Sequence, residues 1–163
     1  MVWSCLVSIL PGMAQTEKLT DYVNPFVGTD GYGNVYPGAQ IPFGGIQISP
    51  DTDSRFYDAA SGYKYNHLTL MGFSLTHLSG TGIPDLGDFL FIPGTGEMKL
   101  EPGTHEDPDQ GYRSRYSHDK EWASPNYYAV ELADYGVKAE MTSGVRSGMF
   151  RFIYPESYNS FII

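Results

Sequence analysis

The densest group of residues able to do chemistry lies at 72–88, GFSLTHLSGTGIPDLGD. It sets His77, Ser79, Thr81, Asp85 and Asp88 around three glycines, directly after an apolar stretch. Glycine lets the backbone come close to a ligand or to another domain. Polar groups on a loop held by strands are a common way to build a site. A tight loop whose Asp and Ser satisfy its own backbone uses the same residues. The segment alone does not choose between the two.

Other groupings point less far. GTDGYG at 28–33 is spaced G-x-x-G-x-G rather than G-x-G-x-x-G. Pro37 and Pro42 interrupt the helix that a phosphate site would need, so it reads as a glycine-rich turn. DTDSR at 51–55 has two acids at calcium-loop spacing, but Arg55 takes a third ligand place and no glycine or glutamate follows in register. It reads as a solvated turn after Pro50. His67, His77, His105 and His118 form no i, i+4 pair and have no cysteine partner, so each is read as structural. No serine sits in a nucleophile-elbow context. Glycoside hydrolysis needs two carboxylates about 5 to 9 Å apart, one of them kept protonated by its surroundings. The 19 acidic residues supply many such pairs, and their spacing selects none.

The elements that must position these residues are short strands. A chain of 163 residues suits one domain with at most a short leader, and buries roughly two-thirds of its unfolded surface. With 19 glycines, 11 prolines and 15% aromatics, it has the composition of an all-β protein. The net charge of -9 repels phosphate and argues against nucleic acid and anionic membrane as partners. Hydrophobic residues at 41% against 18% charged argue against disorder. The single cysteine, Cys5, excludes a disulfide scaffold and a cysteine-ligated zinc. No run of 18 or more apolar residues exists to span a membrane.

A helical turn is predicted within 17–24, ending before Pro25. Strands are predicted at 41–48, 63–65, 70–77, 88–92, 97–100 and 113–118. The clearest pattern is later: Tyr128, Val130 and Leu132 alternate with Ala129 and Glu131, and Val137, Ala139 and Met141 with Lys138 and Glu140. ADYG at 133–136 reads as the hairpin turn between them, with Gly136 at positive φ. Residues 145–154 supply a third strand. Roughly ten short strands in one domain imply two stacked antiparallel sheets or a barrel.

The two ends carry further readings. Residues 1–16 have no charged side chain, and an apolar run from Trp3 to Leu10 precedes Pro11, Gly12 and Ala14. This predicts a secretory signal over 1–14, with an apolar first strand as the alternative. At the other end, FII at 161–163 follows Pro155 with no polar tail. An unpaired apolar edge of that kind predicts a piece of a longer protein.

Several long motifs resemble one known family. NPFVGTDGYGNVYPGAQIPFGGIQISPDT (24–52), SGYKY (61–65), GFSLTHLSGTG (72–82) and DLGD (85–88) are similar, in order, to glycoside hydrolase family 92. So is YSHDKEWASPNYYAVELADYGVKAEMTSGVRSGMFRFIYP (116–155). The resemblance implies a secreted or periplasmic, calcium-requiring, inverting exo-α-mannosidase acting on α-mannoside glycans. It implies an amino-terminal β-supersandwich, resembling galactose mutarotase, over 20–163. The general acid, the general base and most calcium ligands then belong to a carboxy-terminal (α/α)6 domain absent from this chain. No catalytic residue, no metal ligand and no bound calcium are therefore expected within the 163 residues.

Carried over residue by residue, the family's sugar-contacting tryptophan falls on Tyr57, followed by Asp58. A tyrosine still offers a ring for stacking and a hydroxyl. His77, Ser79 and Gly80 match the family loop and are expected near the domain interface. Tyr57, Asp58, His77, Ser79 and Gly80 are thus the candidate substrate-binding residues. Leu75 and Ile83 stand where many members carry His and Cys. Two other readings stay open: an independent carbohydrate-binding module using Tyr57, Tyr63, Tyr65 or Trp122, and a purely structural scaffold. Tyr65 and Trp122 are read as packing residues.

Overall fold

The computed structural model describes residues 17–53, 57–80, 82–83 and 87–163. Regular helix among them is limited to single 3-10 turns at Leu19–Tyr22, Tyr57–Ala59, Pro108–Gln110 and His118–Lys120. The first falls in the predicted helical turn. Ten short strands carry the rest: β1 Ser49–Asp51, β2 Thr69–Leu70, β3 Gly72–Ser74, β4 Pro93–Thr95, β5 Ser114–Arg115, β6 Glu121–Ser124, β7 Tyr127–Leu132, β8 Val137–Ser143, β9 Gly148–Ile153 and β10 Ser160–Ile162. All pairings are antiparallel. The predicted signal at 1–14 lies outside the described residues. No helix among them is long and apolar enough to cross a membrane.

The predicted hairpin forms. Tyr128 faces Met141 and Leu132 faces Val137 across β7 and β8. Gly136 closes the turn at φ 64 and donates to the Leu132 carbonyl at 2.8 Å, a backbone setting that suits glycine. β6 and β9 add at either side, giving the sheet order β6-β7-β8-β9. Alternation decides which face is inward. Tyr128, Val130, Leu132, Val137, Ala139 and Met141 are buried. The first three, with Ala139 and Met141, join Ile48, Leu70, Phe73, Ile92, Tyr63 and Tyr116 in one core between layers. Each fully buried aliphatic side chain of this kind contributes about 1.5–3 kcal/mol.

The other strands are shorter than predicted. The described residues form the four-stranded sheet and three two-stranded ladders, β1-β3, β4-β10 and β2-β5, rather than two continuous sheets. Segment 41–48 is not a strand: Pro42 removes a ladder donor and Phe43 sits at φ 59, so only Ile48 bridges to Ala39. Residues 63–65 run between two turns and are held by side chains instead, with Lys64 N donating to Thr52 Oγ1 at 3.0 Å. Within 88–92 only Phe91 bridges, to Phe73. Residues 97–100 are a bend, and 113–118 is cut to β5 by the Ser117-capped turn at His118–Lys120. The apolar run at 161–163 is paired: Phe161 faces Gly94, and Ile163 and Ile92 exchange two hydrogen bonds of 3.0 Å.

Candidate functional site

Three loops meet beside β1 and β3. The glycine-rich turn at 28–34 ends on Asn34, which adopts φ 47. Asparagine tolerates this left-handed setting better than most residues. Asn34 is buried. Its carbonyl accepts from Gly80 N at 2.6 Å and its Oδ1 accepts from Ala60 N at 3.2 Å. One residue therefore ties the glycine-rich turn to both the 57–62 loop and the 77–83 loop. Ser61 Oγ adds a bond to the Val35 carbonyl at 3.2 Å.

On this frame Tyr57 stands outward, 63% exposed. Gly82 packs against its ring, where a Cβ would collide with ring carbons. Tyr32, at the tip of the glycine-rich turn, is 80% exposed, and its ring centroid lies 6.1 Å from that of Tyr57. Ser79 and Gly80 are exposed on the facing loop, Gly80 at φ 73. Asp58 lies in the same turn as Tyr57, Tyr57–Ala59. Thr81 and Asp85 fall outside the described residues, and Asp88 accepts from the Thr76 hydroxyl at 3.0 Å.

His77 lies beneath this face, 6% exposed. Its Nδ1 is 2.7 Å from the Gln47 carbonyl, which can only accept, so Nδ1 donates. Its Nε2 is 3.0 Å from Asp51 Oδ1. Ser74 Oγ donates to the other Asp51 oxygen at 2.5 Å. Burial alone would lower the His77 pKa, but the Asp51 charge, its hydrogen bond and the Gln47 carbonyl outweigh it and raise the pKa above 6.5. His77 thus binds its proton more tightly folded than unfolded. The resulting stabilisation is complete below about pH 6.5 and is lost as pH rises through the higher folded value. Urea midpoints measured from pH 6 to pH 9 are expected to fall with pH, and Asp51→Asn to flatten that slope. A slope unchanged in Asp51→Asn would refute the assignment.

The DTD segment is the reverse of a solvated turn. Asp51, Thr52 and Asp53 are all buried, because β1 pairs with β3 and turns this stretch under the loops. Asp53 Oδ2 is 3.4 Å from His105 Nε2, Thr52 Oγ1 is 3.0 Å from His67 Nδ1, and Arg113 Nη1 donates to the Thr52 carbonyl at 2.5 Å. The rings of His67 and His105 are 4.0 Å apart. These histidines are structural, as read from the sequence.

The remaining buried acids are also committed. Glu121 accepts from Tyr63 at 2.9 Å and Tyr128 at 2.5 Å, and faces His118 Nδ1 at 2.6 Å. Burial, reinforced by neighbouring charge, pushes the Tyr63 and Tyr128 hydroxyl pKa values upward, so both remain donors. Glu140, on the outer face of β8, is held down to about 2 by hydrogen bonds from Arg151, Lys138 and Tyr127. A group so firmly ionised is no general acid at neutral pH. Among the described residues no three His, Cys, Asp or Glu side chains gather to hold a metal ion. Trp122 is not a core residue: it projects from the outer face of β6, 45% exposed, with Lys138 Nζ 5.5 Å from the ring centroid.

The structure therefore brings Tyr57, Ser79 and Gly80 to one face and sets His77 below it. Sequence reasoning missed Tyr32, Asn34 and Asp51. The available signal was the asparagine closing a G-Y-G-N turn; nothing local marked Asp51 as the partner of a residue 26 positions away.

Fold and loop cluster together define an all-β sandwich domain that presents one aromatic-bearing, loop-built face. Residues 22–163 match the profile of the Glycosyl hydrolase family 92 N-terminal domain, and the chain belongs to that family. A curated relative named "Uncharacterized secreted glycosidase", from Arthroderma benhamiae (strain ATCC MYA-4681 / CBS 112371), is 30% identical over 138 residues, 83% of this chain and 17% of its own length. The solved family GH92 α-mannosidase BT3965 of Bacteroides thetaiotaomicron is 98% identical at TM-score 0.88, over 90% of this chain and 20% of that one. The same enzyme is also solved in complex with mannoimidazole. The GH92 inverting mannosidase BT2199 of Bacteroides thetaiotaomicron VPI-5482 is 26% identical at TM-score 0.67, over 90% of this chain and 20% of that one. The chain spans about a fifth of the length of these proteins.

Proposed function

We propose that this chain forms the sugar-facing amino-terminal part of a secreted, calcium-dependent, inverting α-mannosidase acting on α-mannoside glycans. In this reading the general acid and base belong to a carboxy-terminal domain beyond these 163 residues. The observation that carries it is the 98% identity with an α-mannosidase over 90% of the chain. The mannoimidazole complex of that enzyme supports a mannoside ligand. The name of the fungal relative supports secretion. The commitment of Asp51, Asp53, Glu121 and Glu140 to internal partners agrees with an acid–base pair located elsewhere. Calcium enters through the family alone and is held by the longer enzyme.

The chain's own residues supply position rather than proton transfer. Tyr57 lays its ring against the C–H face of a sugar, and the loop at 79–80 offers a hydroxyl and backbone groups beside it. Asn34 and the His77–Asp51 pair hold these loops still. Orientation of this kind lowers the entropic part of the barrier when the catalytic carboxylates are present.

Two measurements test the reading. The isolated chain is expected to release no product from aryl or disaccharide α-mannosides, whereas the whole enzyme carrying this sequence turns them over. In the whole enzyme Tyr57→Ala is expected to raise KM about tenfold, roughly the loss of one good stacking contact. Turnover by the isolated chain that disappears on changing one acid within 17–163 would overturn the proposal. Calorimetric titration of the chain with mannose and mannobiose separates the binding-module alternative, which predicts affinity tighter than millimolar, from a scaffold role, which predicts no heat.

A further inference from the structure

We infer that Asp30 is a site of spontaneous isoaspartate formation, and that the change loosens the junction of three loops at Asn34. The inference concerns the chemistry of the chain itself and stands apart from the sugar-facing reading.

Asp30-Gly31 is the only Asp-Gly pair in the 163 residues, and no asparagine precedes a glycine. A main-chain nitrogen attacks the preceding residue's carboxyl most readily when its own residue has no side chain to block the approach. Asp30 is exposed. Its Oδ1 accepts from Gly31 N at 2.8 Å, so the carboxyl already lies against the nitrogen that attacks it. A Cβ on Gly31 would meet nothing within 4 Å, which leaves that side open to water. Other aspartates lack this combination. Asp53, which precedes a serine, is buried. Asp51 is buried and held by Ser74 and His77. Asp109 and Asp134 have their carboxylates engaged by Arg115.

The step is a dehydration followed by a hydration. Gly31 N bonds to Asp30 Cγ, and the Cγ hydroxyl leaves with the nitrogen's proton as water, closing a succinimide ring. Water then opens the ring. Addition at Cγ restores aspartate. Addition at the Asp30 main-chain carbonyl carbon breaks the bond from that carbon to Gly31 N, and the chain thereafter runs through Cβ and Cγ as isoaspartate. One water is lost and one is gained, with no oxidant, reductant or metal. The product has one more atom in its main chain, and the turn has no slack for it. Gly28 and Gly31 take φ 86 and φ 59, and a Cβ on Gly33 would strike the Gly28 backbone. Gly33 N donates to the Asp30 carbonyl at 3.3 Å, a group that isoaspartate turns into a side carboxylate. Tyr65 N and Lys64 Nζ hold the chain on either side of Asp30, at the Thr29 and Gly31 carbonyls, at 2.9 and 3.4 Å. The displacement therefore passes to Asn34, which accepts from both Gly80 and Ala60.

The test uses the whole enzyme carrying this sequence, kept folded at neutral pH in water labelled with heavy oxygen. Peptide mapping with electron-transfer fragmentation tells isoaspartate from aspartate. Isoaspartate carrying one solvent oxygen is expected to accumulate at position 30 at least fivefold faster than at any other aspartate of this chain. Gly31→Ala, whose added Cβ has space, is expected to slow it at least fivefold. Asp30→Asn is expected to lose ammonia and reach the same isoaspartate faster. In the isoaspartate fraction, hydrogen exchange at the Gly80 and Ala60 amides is expected to rise at least fivefold while the β7–β8 hairpin is unchanged. No isoaspartate at position 30, or a rate unmoved by Gly31→Ala, overturns the assignment. Isoaspartate at position 30 with unchanged exchange at Gly80 and Ala60 overturns the loosening of the junction.

Discussion

Replacing Glu121 by alanine lowers the free energy of unfolding by about 3–5 kcal/mol, the usual loss when one partner of a buried charged cluster is removed. The Glu121 carboxylate is the common acceptor for Tyr63 and Tyr128 and the partner of His118. The tyrosines are fully buried core residues, so their hydroxyls have no water to turn to. Each unsatisfied buried donor costs about 1–3 kcal/mol. His118 would lose the acceptor at Nδ1, while its Nε2 still donates to the Tyr65 carbonyl at 2.7 Å and its ring still stacks on Tyr65 at 3.9 Å. Glu121→Gln retains an oxygen for the tyrosines but sets an amide group against the remaining donor, so an intermediate loss is expected. Urea unfolding at pH 7 checks both. A loss below about 1 kcal/mol for the alanine variant would mean that water takes the place of the carboxylate. Because domains carry only about 5–15 kcal/mol in total, the glutamine variant gives the readout if the alanine variant does not fold.

Gly62→Ala is expected to cost about 3 kcal/mol, combining the penalty for a side chain at positive φ with that of overpacking. Gly62 has φ 91, and a Cβ there would run into Asp51 Oδ1 and the His77 ring. Those atoms cannot yield, since Asp51 is held by Ser74 and His77 by Gln47. Gly31→Ala is the control. It has φ 59 but nothing within 4 Å of the added Cβ, so only the conformational cost of about 1 kcal/mol applies. Denaturation curves of the two variants should differ by about 2 kcal/mol. Equal losses would show that the space around His77 and Asp51 accommodates a methyl group. In Gly62→Ala the His77 pKa, followed by NMR, should also fall back toward its ordinary value as the pair is pushed apart.

The two predictions concern different layers of the same design. Glu121 joins the four-stranded sheet to the 63–65 segment, and Gly62 lets that segment pass close over β1. A surface made of loops needs such supports, because loops have few ladder hydrogen bonds of their own. Here the supports are side chains: Asn34 at the crossing of three loops, His77 and Asp51 beneath one of them, and Thr52 under the next.

What could be read directly was what depends on near neighbours. The β7–β8 hairpin, its Gly136 turn and the β9 strand were legible because alternation and turn chemistry act over a few residues. The all-β class followed from composition. The family was legible because long motifs persisted in order. The strands drawn over 41–48 and 63–65 were not found, since Pro42, the left-handed Phe43 and the demands of Thr52 overrode an apolar pattern. Asp51 and Asp53 looked like solvent-facing acids because nothing beside them in the chain hinted at burial. Pairs such as Asp51 with His77, Tyr63 with Glu121 and Asn34 with Gly80 join residues 26 or more positions apart. By itself the sequence settled class, family and the local hairpins, whose energetics reside in adjacent residues. Only the tertiary structure decided which acids are buried and spoken for and which tyrosines stand beside one another, because desolvation and charge pairing depend on what packs nearby in space and leave no periodic trace along the chain.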